Sequence, residues 1–227
     1  MQISKSAHTV PRPVGRPRAV PQLAPVDVRE EILSAAAGLF ETYGYTATST
    51  RVIATEVGLR QASLFHYFAH KDDILSELLD RTLRPTLEGV RRHPLEEYEP
   101  DLALWLLVRA DVDNLCRGPH NLGALQLLPE VRDPQFEWFW RRRRRLFRTY
   151  ARQIARGVAS GTFAEADRRT AADVVFGLVE SVITADESFR RRASTPNVVA
   201  DASLRICGVA PGRVRAVCRR ARVFSDW

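Results

Sequence analysis

His66 and His70 stand four residues apart in the stretch GLRQASLFHYFAHKDD, Gly58 to Asp73. On one helix that spacing offers two imidazoles to zinc. No HExxH surrounds them, however, and the three cysteines (Cys116, Cys207, Cys218) are widely spaced and lack a CxxC, so neither a structural zinc nor a disulfide framework is expected. There is no GxSxG, no Gly-rich phosphate loop and no paired Cys/His context. The expectation is no catalytic residue, no metal, no cofactor and no enzyme. What the stretch does offer is asymmetry. Arg60, Gln61, Ala62 and Ser63 are small or polar, Leu-Phe-His-Tyr-Phe follows, and Gly58 precedes them all. A helix so built is held at its rear and meets a polar surface with its tip.

The neighbouring segments are suited to position that tip. Asp27 can cap a first helix, with Glu30 three residues on to close a capping box. Ile32, Leu33, Ala36, Leu39, Phe40 and Tyr43 follow at helical spacing, and Gly44 ends the helix. Thr48, Ser49 and Thr50 are alternative caps for a second short helix, RVIATEV. Counted from Thr50, Ala54 is fifth, Gly58 ninth and Leu64 fifteenth of a unit ending at Ala69. The small Ala lets two helices cross closely, and Gly tolerates the positive φ of a tight turn. This is the mechanical pattern of a helix-turn-helix, whose second helix enters the DNA major groove with its N-terminal end.

Beyond Lys71 the helical period continues through a fourth helix, which Pro85 or Pro94 should kink or end. DLALWLLVRADVDNLC reads as a deeply buried helix. Long helices are expected from about Pro134 to Ser160 and from Arg168 to Arg192, and a shorter one from Asn197 to Cys207. No segment alternates with a period of two, so the chain reads as all-α. The net charge of +7 is concentrated at the ends. Residues 1–25 hold Lys5, Arg12, Arg16 and Arg18 without an acid, and residues 205–227 hold six arginines and Asp226, so the stretch between is slightly acidic. Global charge is therefore weak support for a DNA-binding core. Residues 1–25, proline-rich, read as a disordered basic arm. RPVGRPR within it could lay Arg16 in a minor groove, although Val14 stands where an AT-hook has a second Arg. No apolar run approaches the roughly 18–20 residues of a membrane span, and Lys5 has no apolar segment behind it, so a cytoplasmic protein without a secretory signal is expected.

AAAGLFETYGYTATSTRVIATEVGLRQASLFHYFAHKDDIL resembles the DNA-binding domain of the TetR family of bacterial transcriptional regulators. The likeness lies in LF…YGY.AT, IA…VG and SLFHYF..K, and covers about residues 28–80. It implies a DNA-binding regulator, most simply a repressor, that works as a homodimer on a double-stranded operator with an inverted repeat. The C-terminal domain would bind a small-molecule effector of unknown identity and release the DNA. On this resemblance residues 26–72 form the helix-turn-helix domain and residues 73–227 the effector-binding and dimerisation domain. Thr50 and Arg51 match phosphate- or base-contacting positions. Gln61, Ala62 and Ser63 match the base-reading tip, with Gln61 suited to adenine. Phe65 and Tyr67 match backbone-packing positions, and Lys71 a phosphate-binding lysine. Phe65 replaces a common Tyr and so lacks a hydroxyl for phosphate; Arg60 can compensate or read a guanine. A helical interaction module that keeps the fold without an operator is the alternative of a different class, and an activator is a nearer one.

Two further clusters remain. Arg141–Arg145 circle a helix and cannot form one stripe, so a solvated or interface role is expected, with pairs such as Arg141 to Glu137. The family's effector cavity lies among the C-terminal helices, which makes Trp105, Trp138, Trp140 and Phe147 candidate walls.

Overall fold

The computed structural model describes residues 27–164 and 167–224; the basic arm expected at 1–25 lies outside them. Among the described residues every regular element is helical. Helix α1 (Val28–Tyr43) starts where the Asp27 carboxylate accepts the Arg29 amide at 2.9 Å. Glu30 does not close a capping box; its carboxylate instead takes both ends of the Arg81 guanidinium, at 2.8 and 2.5 Å. The charged partner 51 residues on outcompetes the local amide because a forked, charge-assisted pair is stronger than one neutral N–H contact. Gly44 ends α1 at φ 82°. Helices α2 (Thr50–Glu56) and α3 (Gln61–Leu64) are short, and α4 (Lys71–Arg92) is long. Ile32, Leu33, Ala36, Ile53, Leu64 and Leu75 join these four in one buried layer.

Helix α4 passes through Pro85 and ends at Arg92, just before Pro94. Proline has no N–H, so the carbonyl of Arg81, four residues back, loses its helical donor. Asn114 supplies the replacement: its side-chain amide donates to the carbonyls of Arg81 at 3.2 Å and Thr82 at 2.8 Å. A side chain from a neighbouring helix thus fills the gap that proline opens.

Asn114 belongs to α5 (Pro100–Cys116), the buried centre of the C-terminal part. Leu102, Leu104, Leu106, Leu107 and Val108 point in several directions around it, and all are essentially inaccessible; each such side chain contributes about 1.5–3 kcal/mol on leaving water. Around it pack α4, α6 (Glu137–Ala159), α7 (Arg168–Glu180), α9 (Thr195–Ile206) and α10 (Pro211–Ala221), with the single turn α8 (Glu187–Arg190) between α7 and α9. Short 3₁₀ turns at Leu122–Leu127, Pro129–Arg132 and Pro134–Phe136 replace a regular helix before α6.

Two expectations change here, and one element is new. The helix expected to run to Arg192 ends at Glu180, where a 3₁₀ turn at Ser181–Ile183 takes over and buries Val182 and Ile183. The basic C-terminal segment contains a packed helix, α10, because Val214, Val217 and Ala221 bury one face of it. Glu137 pairs with Arg144 at 2.5 Å, not with Arg141. Two others of that run tie helices together, Arg142 to Asp80 of α4 and Arg143 to Glu180 of α7.

Candidate nucleic-acid interface

The Ser49 hydroxyl, out of three eligible, accepts the Val52 amide at 3.2 Å and starts α2. The chain then turns at Gly58 (φ 67°), and the Leu59 amide returns to the Ala54 carbonyl at 2.8 Å. Arg60 precedes α3 in extended conformation, with its carbonyl accepting the Leu64 amide at 3.2 Å. Beyond Leu64 the backbone runs on as hydrogen-bonded turns to Phe68. Leu64 (0% exposed) and Phe68 (3%) anchor the element from behind, and the Arg29 guanidinium lies 4.7 Å from the Phe68 ring centre.

On the outer side, Arg51, Arg60, Gln61 and Ala62 are exposed and Ser63 is half-buried. Phe65 and Tyr67 keep 46% and 42% of their surface, a large apolar area left in water by a helix whose core side is already full. Gln61 Nε2 donates to the Thr50 hydroxyl at 2.9 Å. That bond joins the tip of α3 to the first residue of α2 and holds the amide in one orientation. Among the described residues neither Arg51 nor Arg60 has an ion-pair partner. His66 lies in the turn after α3 and His70 directly precedes α4, so the two do not share the helix face that zinc would need.

The Lys71 ammonium donates to the carbonyls of Tyr45 at 2.7 Å and Thr48 at 2.9 Å, and sits 3.9 Å from the Tyr45 ring centre. Two of its three N–H groups are thus engaged within the protein. Burial draws the Lys71 pKa below its ordinary value, against the pull of Asp72 and Glu130. The Tyr45 hydroxyl donates to Asp72, and burial and that carboxylate push its own pKa up. The loop between α1 and α2 is therefore fastened to the start of α4. Two contacts continue into the C-terminal part. The Thr46 hydroxyl donates to Glu130. His120 lies with Nε2 3.5 Å from the Ser34 hydroxyl and Nδ1 3.5 Å from the Glu41 carboxylate. A Cβ on Gly38 would stand 3.0 Å from that imidazole, so the glycine permits the close approach. With partners 84 and 86 residues apart, no local pattern in the sequence marks these contacts.

The four aromatic candidate wall residues lie in separate surroundings. Trp105 lines a cavity of about 260 Å³ with Arg109, Asn197, Cys218, Arg222 and Phe224. Trp140 donates to the Val131 carbonyl at 2.8 Å, Trp138 lies beneath Arg142, and Phe147 packs edge-on against Phe176 at 5.5 Å. A separate open cleft of about 910 Å³ lies between α1 and residues 117–122, and none of the four lines it. The polar centre of the C-terminal part is a group the sequence did not disclose. Asp111 of α5, buried, accepts from the Thr86 hydroxyl of α4 at 3.2 Å and the Tyr150 hydroxyl of α6 at 2.8 Å. Burial pushes its pKa up to about 7 although both hydroxyls oppose the shift.

Residues 32–78, from α1 to α4, match the pattern of "Bacterial regulatory proteins, tetR family". The crystal structure of Mycobacterium smegmatis AmtR superposes with a TM-score of 0.75 at 42% identity, over 87% of this chain and 95% of that one. The Bacillus subtilis "Fatty acid metabolism regulator protein" is 24% identical over 68% of this chain and 80% of its own length. The Mycobacterium tuberculosis "HTH-type transcriptional repressor KstR2" is 43% identical over 51 residues, 22% of this chain and 26% of that repressor.

Proposed function

Because the chain belongs to the TetR family of bacterial transcriptional regulators, we propose that it binds an inverted-repeat operator as a homodimer, acts as a repressor, and lets go when a small effector occupies its C-terminal helices. Residues 26–72 form the reading head and residues 73–227 the effector-binding and dimerisation part. One observation carries the reading. The tip, exposed from Arg60 to Ala62 and half-buried at Ser63, stands on an element whose other side, Leu64 and Phe68, is buried. A rigid tip of this kind suits a major groove. Gln61 is suited to pair with adenine, and Ala62 and Ser63 leave room for base edges. Thr50, Arg51 and Arg60 supply phosphate or guanine contacts, and Phe65 and Tyr67 lie along the sugar-phosphate wall. Lys71, with one N–H beyond its two carbonyls, adds a single phosphate contact from the start of α4.

The outward faces of α7 and α9 support the homodimer. Val174, Val198 and Ile206 keep 48%, 52% and 44% of their surface. Gly177 beside them has open space where a Cβ would stand, which lets a second copy approach closely. Two-fold pairing buries the same patch on each protomer, and the two heads then address half-sites about 34–36 Å apart or a multiple of that. Thr46–Glu130 and the His120 contacts on α1 are the bridges through which a change in the C-terminal helices would reach the head. Effector and operator then compete through differential affinity for two arrangements.

Selection of bound fragments from random DNA, at near-physiological salt, tests the reading. Enrichment of an inverted repeat is expected. Binding that depends on salt yet enriches no sequence would refute it, since basic segments alone hold DNA without reading it.

A further inference from the structure

The cavity beneath α10 carries a chemistry that the regulator reading does not specify. Helix α10 crosses α5 and α9 with Val214, Val217 and Ala221 buried, and the cavity of about 260 Å³ opens at its C-terminal end. Trp105 forms one wall. It is 3% exposed, and its indole N–H donates to Asp201 at 2.8 Å, so its one polar atom is already engaged and the ring has only apolar surface left to offer. Phe224 is a second aromatic lining residue.

The charges are arranged differently. Arg109 projects from the apolar helix α5, is half-buried, and lines the cavity. Among the described residues its guanidinium has no hydrogen-bond or ion-pair partner, and neither has that of Arg222, which also lines the cavity. Other half-buried arginines are held: Arg81 by Glu30, Arg143 by Glu180, Arg156 by the carbonyls of Leu95 and Tyr98. A guanidinium drawn partly out of water needs an anion or several acceptors to offset its desolvation. Next to Arg109 there is instead an open space.

We propose that this cavity binds a small aromatic carboxylate. The carboxylate sits on Arg109, assisted by Arg222, and the flat body lies between Trp105 and Phe224. The volume falls just below the usual range for drug-sized ligands, which suits a single ring. A bare inorganic anion would leave both aromatic walls unused. The exposed arginines 215, 219 and 220 of α10 raise the local concentration of anions. This is the effector site of the regulator proposed above, so its consequence for DNA rests on that reading; its occupancy does not.

The test uses the full-length protein without DNA, titrated with benzoate and with benzyl alcohol as the neutral counterpart. Tryptophan fluorescence and the melting temperature are read. Benzoate should bind saturably and raise the melting temperature, and benzyl alcohol should bind at least about tenfold more weakly, the factor expected for one lost charged contact. Arg109→Gln should lose benzoate by a similar factor while the unliganded variant melts like the parent, because no partner among the described residues is lost. Arg148→Gln, exposed on α6 and outside the cavity lining, should bind as the parent does. No binding up to about 10 mM benzoate would overturn the proposal. So would equal binding by Arg109→Gln, equal binding of the alcohol, or complete displacement by inorganic phosphate at the same concentration. Adding the selected operator separates the two readings. Benzoate that binds without releasing DNA removes the effector role and leaves the site. An operator bound specifically by a protein that ignores benzoate removes the site and leaves the regulator.

Discussion

Replacing Asp111 with Asn should change how stability depends on pH. In the native protein the Asp111 carboxyl is buried among α4, α5 and α6, and burial raises its pKa to about 7. Thr86, Tyr150 and Arg143 act to lower it, and Glu180 adds to the rise. In the unfolded chain the same carboxyl titrates near 3.9. Between these values the native state holds a proton that the unfolded state gives up. Stability from this group is therefore fully present below pH ~4 and is lost as pH rises towards about 7. Each unit is worth about 1.4 kcal/mol, so from pH 5 to 7.5 the parent loses about 2–3 kcal/mol through Asp111 alone. Asn is neutral in both states, nearly the same size, and keeps an oxygen for one hydroxyl, so the variant lacks that slope. Urea unfolding at fixed protomer concentration, at pH 5 and 7.5, measures the difference directly. The variant should gain about 2–3 kcal/mol on the parent between the two conditions. Stability curves that run parallel would refute the assignment. So would a parent that gains on the variant as pH rises. Tyr150→Phe supplies a check of the opposite kind, because removing one donor to the carboxylate should carry the parent's loss to still higher pH.

The reading head gives two contrasting expectations. Gln61→Ala should relax preference at one base pair by about 1–3 kcal/mol, whereas Arg51→Ala should weaken all sequences alike and reduce the salt slope by about one; identical effects on specific and random DNA would sink the division of roles. Lys71→Met should loosen the loop between α1 and α2 by removing two hydrogen bonds and a ring contact. About 2–3 kcal/mol is expected from these terms, seen as faster amide exchange at residues 45–50. Gly157→Ala would put a Cβ 2.0 Å from the Phe163 ring, with about 3 kcal/mol or more of overpacking; trimming the ring in Gly157→Ala/Phe163→Ala should relieve the clash, and a double variant no better than additive would argue against it.

Much of the head was legible because its signals are local. Asp27, Gly44 and Gly58 each act within a few residues, and the apolar spacing of Ile32 to Phe40 is the face that α1 buries. The cap of α2 was only narrowed, since three adjacent hydroxyls are chemically equivalent until the backbone chooses Ser49. Glu30 was misjudged because a capping box is a local expectation and its partner, Arg81, is distant. In α10 charge masked period: arginines at 213, 215, 219 and 220 dominate the composition, while Val214, Val217 and Ala221 carry the buried face. The end of α7 had no glycine or proline to mark it. The aromatic candidates part company for a related reason. Trp105, Trp138, Trp140 and Phe147 have the composition of a pocket wall, but which residues share a cavity depends on helix rotation and crossing.

The union of Pro85 with Asn114 has a mechanical consequence. Helix α4 has 22 residues, about 33 Å of rod at 1.5 Å per residue, and Pro85 divides it so that the arm reaching back to Lys71 is roughly 21 Å long. At the dividing point the rod is held to α5 by a side-chain amide in place of its own backbone bond. That makes Asn114 the pin of a fulcrum. A turn of about 5° there would swing the Lys71 end through about 2 Å, and anything clamped beyond Lys71 through more. The gearing is reciprocal: a small displacement of α5 at the pin is magnified at the far end of the rod, and a load at that end acts back on α5.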